Sequence, residues 1–236
     1  MRFIIDDSIW ELFPELHIGV VVTQGFRNDL ATWPEISERL QRTILQSKSD
    51  PALADISLHP AIIPWREAYT SFGMKPNKFR SSIESLLRAA QADRLRSISP
   101  LVDLYNAISL KYRLPCGGED LAALKGDLHL TRALGDEPFV PLGSTENDPP
   151  QAGEVIYRDA SGAICRSFNW READRTKLLP STNHAVLFIE GLHFEDGYKV
   201  QKACIDLALS VEQRLGGQTQ LIVLNATQTD VDLAQL

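Results

Sequence analysis

The chain has 236 residues, 44% of them hydrophobic, enough for one large domain or two small interlocked ones around a substantial core. A net charge of −7 works against indiscriminate nucleic-acid binding, and the three cysteines, Cys116, Cys165 and Cys204, have neither the number nor the spacing of a disulfide framework or a zinc site. No stretch approaches the roughly 20 apolar residues that span a bilayer, and Phe3, Ile4 and Ile5 run straight into Asp6 and Asp7 rather than into a signal sequence, so the expected compartment is the cytoplasm.

Residues 17–23 form a β-branched apolar run, expected to be a buried strand. Pro34 fits the first turn of a helix to about Ser47, with Ile36, Leu40, Ile44 and Leu45 at helical spacing. Trp65 to Phe72 reads as a helix stopped by Gly73. Pro76 is expected to start another, carrying Phe79, Ile83, Leu86 and Leu87, and Ser99-Pro100 to close that segment. From Arg66 to Arg96 seven basic residues (Arg66, Lys75, Lys78, Arg80, Arg88, Arg94, Arg96) stand against Glu67, Glu84 and Asp93. On an acidic chain this surplus is either a confined phosphate site or a solvated helix face.

Leu101 to about Tyr112 is again helical, with Gly117-Gly118 expected as the following turn. Short alternating runs then begin at Leu128, Glu154, Ala163 and Ala185, separated by turn signals such as Ser161-Gly162 and Asp148-Pro149-Pro150, as in a mainly antiparallel sheet. A long amphipathic helix from Tyr198 to Leu215 stops at Gly216-Gly217, Gln220 to Leu224 makes a last strand, and residues 230–236 are expected to fray. Helices followed by strands indicate an α+β fold.

The segment Leu101-Val-Asp-Leu-Tyr-Asn106, then Pro115-Cys-Gly-Gly-Glu-Asp120, Leu124-Lys-Gly126, Thr131-Arg-Ala-Leu-Gly-Asp-Glu137 and Leu142-Gly143 follows a distinctive order. It resembles the B3/B4 module of the phenylalanyl-tRNA synthetase β subunit, which hydrolyses tRNA carrying the wrong amino acid. The resemblance covers residues 85–217 well and residues 1–64 weakly. It implies a three-layer β/β/α domain with a β-sandwich of unusual topology, a B3/B4-like core over 85–236, and an N-terminal α/β portion with basic helices over 1–84, the two forming one compact unit. Implied too is a freestanding editing factor, a deacylase of mischarged tRNA that binds the acceptor end without metal, cofactor, DNA or membrane. The chain has no aminoacylation core and no phosphate-cradling glycine loop, so it is not expected to be a ligase.

The resemblance also suggests the site. Asn106 matches the family asparagine and would orient the ester or the attacking water. Tyr105 replaces a threonine beside it, and Gly117 stands where the family has a histidine, so Gly117-Gly118 would leave the pocket more open. Glu190, in Val186-Leu-Phe-Ile-Glu-Gly191, matches the carboxylate that accepts the phenolic hydroxyl of mis-attached tyrosine; the bland alternative is a strand-end glutamate reaching solvent. Where the family has a glycine-rich turn, this chain has a longer polar loop with Asn169, Trp170, Arg171, Asp174, Arg175, Thr176 and Lys177. Its cations would hold the terminal phosphate and Trp170 would stack the terminal adenine, unless the loop is a salt-bridged cap. Cys116 lacks a nearby histidine to activate it, and His184 and His193 are not spaced to join Glu190 at a metal. Two rivals remain: a binding module of the same fold that turns nothing over, and a small-ester hydrolase using Asp174 and Glu190.

Overall fold

The structure, a computed structural model, describes residues 1–29 and 34–236. Strands β1 (Arg2–Ile5), β4 (Leu128–Arg132), β5 (Val155–Asp159), β6 (Gly162–Arg166), β7 (Arg171–Glu172) and β10 (Asp230–Asp232) make one sheet, in the order β10-β1-β4-β5-β6-β7. The pair β1·β4 is parallel and the other pairs are antiparallel. Strands β2 (His17–Gln24), β3 (Cys116–Asp120), β8 (His184–Gly191) and β9 (Gln218–Leu224) make a second, antiparallel sheet in the order β3-β8-β2-β9.

Period-two alternation sorts the second sheet's side chains into two cores. On β8, Val186 and Phe188 pack with Phe3, Leu128, Leu130 and Tyr157 of the first sheet, and on β2 Ile18, Val20 and Val22 do the same. The intervening Val21, Ala185, Leu187 and Ile189 pack instead on two helices, α5 (Pro100–Tyr112) and α6 (Asp196–Leu215). The result is sheet on sheet on helices, an α+β fold in three layers. Each large side chain fully buried this way contributes roughly 1.5–3 kcal/mol. The remaining helices, α1 (Asp7–Leu12), α2 (Pro34–Lys48), α3 (Ile63–Ser71) and α4 (Ser82–Gln91), add Ile9, Leu40, Ile44, Trp65, Tyr69, Ile83 and Leu87 to the inter-sheet core. No described helix is long and apolar enough to cross a membrane.

Three expectations are corrected. The helix expected from Pro76 begins at Ser82, because Ser81 caps it by accepting from the Glu84 N–H. The signal was present as Ser81-x-x-Glu84, the pattern of a capping box. Gly117-Gly118 is not a turn but part of β3, paired with Phe188 and Leu187. Residues 230–232 are not frayed: they pair with β1, so the first and third residues of β10 lie opposite Ile4 and Arg2.

Tertiary contacts also redistribute the basic stretch. Arg66, Arg80 and Arg88 converge on the buried carboxylate of Glu84, at 2.9, 3.7 and 2.9 Å. Three guanidinium groups on one carboxylate leave a net positive cluster at the start of α4, and the buried Arg80 Nε has no hydrogen-bond partner.

A cavity lined by three glutamates

Where β3 and β8 face β5, β6 and the turn into β7, the sheets leave a cavity with about 20 Å³ of free space, room for one water. Glu119, Glu172 and Glu190 all line it. Glu190 points inward because it shares the face of Val186 and Phe188, and it is 3% exposed. Its Oε1 accepts from the Tyr157 hydroxyl at 2.6 Å and its Oε2 from Asn169 Nδ2 at 2.5 Å. Burial pushes the Glu190 carboxyl up to about 8, against the pull of these two donors.

Asn169 is itself held on three sides, since its Oδ1 accepts from the Tyr69 hydroxyl at 3.2 Å and from the Ser82 N–H at 3.0 Å. The chain reaches Asn169 through two non-glycine residues in the left-handed region, Ser167 (φ 45°) and Phe168 (φ 64°). Such conformations persist only where surrounding bonds fix them. Here the fixing group is Glu154, whose carboxylate accepts from the Ser167 N–H at 2.8 Å and from its hydroxyl at 2.9 Å, while Arg166 donates to both its oxygens at 3.1 and 3.0 Å.

On the opposite wall Glu119 and Glu172 form a pair. Burial raises both carboxyls, and each then feels the other, Glu119 most strongly. Two carboxylates in one dry site cannot both ionise, so the pair retains a proton. Beyond the proton the two carboxyls share, Glu119 Oε2 and Glu172 Oε2 are buried with no other donor, and Ser82 Oγ at the same cavity and Thr176 Oγ1 are likewise unpaired.

The glycines explain how the pair fits. A methyl group on Gly117 would lie 3.0 Å from Glu172 Oε1, so the missing side chain is what admits this carboxyl. On Gly118 it would lie 2.4 Å from Leu187 Cδ2 and 3.2 Å from the Val186 carbonyl. Gly118→Ala is therefore expected to cost about 1–3 kcal/mol through overpacking against a strand. Gly117→Ala, meeting only the end of a flexible side chain, should cost less; urea midpoints in the reverse order would contradict this packing.

The structure separates the residues singled out by sequence. Glu190, Asn169, Gly117 and Gly118 line the cavity. Tyr105 lies by the carboxyl pair, its phenol raised by burial and then by Glu172 and Glu119. Asn106 is buried on α5 and is not part of the lining. In the polar loop Arg175 is tied to Asp159 at 2.9 and 2.6 Å and Lys177 to Asp174 at 2.8 Å. Trp170 packs edge-on against Phe79 with centroids 4.7 Å apart, and Arg166 and Arg171 lie over its ring at 5.7 Å each. Thr176 is fully buried. The loop's cations other than Arg171 are thus neutralised internally, as in a cap, and Asp174, held by Lys177, does not line the cavity with Glu190. Cys116 lines the cavity, but burial raises its thiol well above the ordinary value, which keeps it protonated.

Sequence reasoning passed over Glu119, Glu172, Tyr157 and Ser82. Glu119 directly follows Gly117-Gly118, and Glu172 sits inside the polar loop, so both were within reach of the motif. Tyr157 carried no signal beyond an alternating strand.

A model of the B3/4 domain family matches residues 64–210. No curated protein matches the chain. Among solved structures, the crystal structure of an N-terminal fragment of the phenylalanyl-tRNA synthetase β subunit from Pyrococcus horikoshii is similar, with 12% identity and a TM-score of 0.47. The match covers 94% of this chain and 53% of that one, so the chain spans about half the length of the fragment.

Proposed function

The chain belongs to the B3/4 domain family, and from that premise we propose that it hydrolyses the ester of mischarged aminoacyl-tRNA, with Glu190 at the centre of the site. The observation carrying this reading is a carboxyl brought up to about 8 on the wall of a buried cavity. A general base works best with a pKa near the operating pH, and this group populates both protonation states there. Glu190 takes a proton from the water as its oxygen attacks the ester carbonyl, the bond from the carbonyl carbon to the ribose oxygen breaks, and that oxygen receives the proton back. Asn169 and Tyr157 hold the carboxyl in place, and the ester needs no metal because the substrate is already activated.

The acceptor-end phosphates fit the Arg66, Arg80 and Arg88 cluster better than the neutralised loop, since α4 begins at Ser82, a lining residue of the cavity. Arg80→Ala and Arg88→Ala are expected to weaken tRNA binding and to flatten its salt dependence by about one unit of slope per lost contact, whereas Lys177→Ala leaves the slope unchanged. Equal slopes in all three variants would move the phosphates elsewhere.

A second reading, a binding module without turnover, draws support from the small free space, which a whole aminoacyl group enters only by displacing lining side chains. Deacylation of a panel of mischarged tRNAs beside free amino-acid esters decides between them. Turnover of tRNA substrates alone supports editing, turnover of both supports a general esterase, and tRNA binding with no turnover supports the binding module.

A further inference from the structure

We infer that the Glu119–Glu172 end of the cavity is an ammonium site, which recognises a charged amino nitrogen of the ligand. This deepens the proposed function by naming what the site reads on the aminoacyl group, and it rests on observations independent of turnover. Six buried side-chain polar atoms among the described residues lack a hydrogen-bond partner, and three of them, Glu119 Oε2, Glu172 Oε2 and Ser82 Oγ, belong to residues lining this one cavity. Glu119 is 3% exposed, so its free oxygen has no outlet to bulk solvent. In the empty site the proton the pair retains stands between these oxygens, so what the niche lacks is a cationic donor to take that proton's place.

The donor's chemistry follows from the surroundings. Three glutamates exclude an anion. Both oxygens of Glu190 already accept, from Tyr157 and Asn169, so the open oxygens come from Glu119, Glu172 and Ser82. That is too few for a hard divalent cation, which takes six or more oxygen ligands. An ammonium group offers three donors, matches a niche the size of one water, and balances the charge that the pair otherwise suppresses by holding a proton. Gly117 keeps the niche open, because a side chain there would meet Glu172 Oε1.

Isothermal titration with three small probes tests this and separates its two sources. Leucinamide carries only the α-ammonium, 1,5-diaminopentane carries only the side-chain type, and 4-methylpentanamide carries none. The expected result is binding of at least one amine, no binding of the neutral amide, and at least about tenfold weaker amine binding in Glu119→Gln and Glu172→Gln. Both replacements are isosteric. Should either variant fail to fold, the contrast between amines and neutral amide on the unaltered protein still decides. Equal binding of all three probes, binding of none, or unchanged affinity in folded Gln variants would overturn the proposal. Amine binding without deacylation of any tRNA would leave the ammonium site standing and remove the editing reading; deacylation of a des-amino acyl ester as fast as its parent would do the reverse.

Discussion

Glu154→Ala is expected to destabilise the protein by about 3–5 kcal/mol, the loss typical of removing one partner from a buried ion pair. Glu154 is 1% exposed and takes five hydrogen bonds: two from Arg166, two from Ser167 and one from the Gln151 N–H at 3.0 Å. Without it the Arg166 guanidinium, itself 4% exposed, keeps the Asp148 side chain at 2.8 Å as its remaining ion-pair partner. The damage should also reach the cavity. Ser167 and Phe168 lose the bonds that hold their left-handed conformations, and Asn169, the next residue, loses its aim at Glu190. Urea unfolding measures the first effect as a lowered midpoint at unchanged slope, and deacylation measures the second. A loss below about 1 kcal/mol would mean that the turn is held by its packing and not by Glu154.

Raising the pH from 5 to 8 is expected to lower the stability of the folded protein, with Glu190 and Glu119 the main sources. In the unfolded chain a glutamate titrates near 4.3, while folding moves this one to about 8. Between those values the folded state holds a proton that the unfolded state has released, so stability falls as pH rises and levels off above the folded value. One such group contributes a slope of about 1.4 kcal/mol per pH unit. Glu119 and Glu172, raised by the same burial, act in the same direction. Carboxyls held low, such as Asp206 and Glu137, act oppositely but at pH values below this window. His59, lowered by burial, opposes the trend only near its ordinary titration range. Comparison with Glu190→Gln isolates the group, since the variant should show a shallower decline between pH 5 and 8. An identical profile in both proteins would place the proton on another residue.

Much of this architecture is legible before any fold is known, for a physical reason. Apolar spacing reports which face of an element is buried, so β2, β8, α2, α5 and α6 stand out in the sequence within a few residues of their ends. Prolines and glycines mark where helices cannot continue, and Ser99-Pro100, read as closing the segment before it, also opens α5, with Ser99 as its cap. Glu190 was singled out by the family resemblance, and its place at the end of an apolar strand is one where a charge is costly without a partner.

The identity of that partner was not legible, because period and composition describe one element and say nothing of what the next layer brings opposite it. Tyr157 and Asn169 reach Glu190 from 33 and 21 residues away, and only the stacking of the two sheets puts them there. Charge behaves likewise. The sequence shows Arg175 and Lys177 as loop cations beside a predicted pocket, whereas the tertiary structure supplies Asp159 to one and turns Asp174 onto the other. It likewise gathers Arg66, Arg80 and Arg88 around Glu84 into a positive cluster. By itself the sequence determined the longer elements, their buried faces and the order of motifs, since these follow from local sterics and burial. Tertiary structure decided which acids lost their solvent, which cations kept their charge unspent, and how Glu119 and Glu172 came to share one dry cavity, since desolvation and pairing depend on neighbours that only packing brings together.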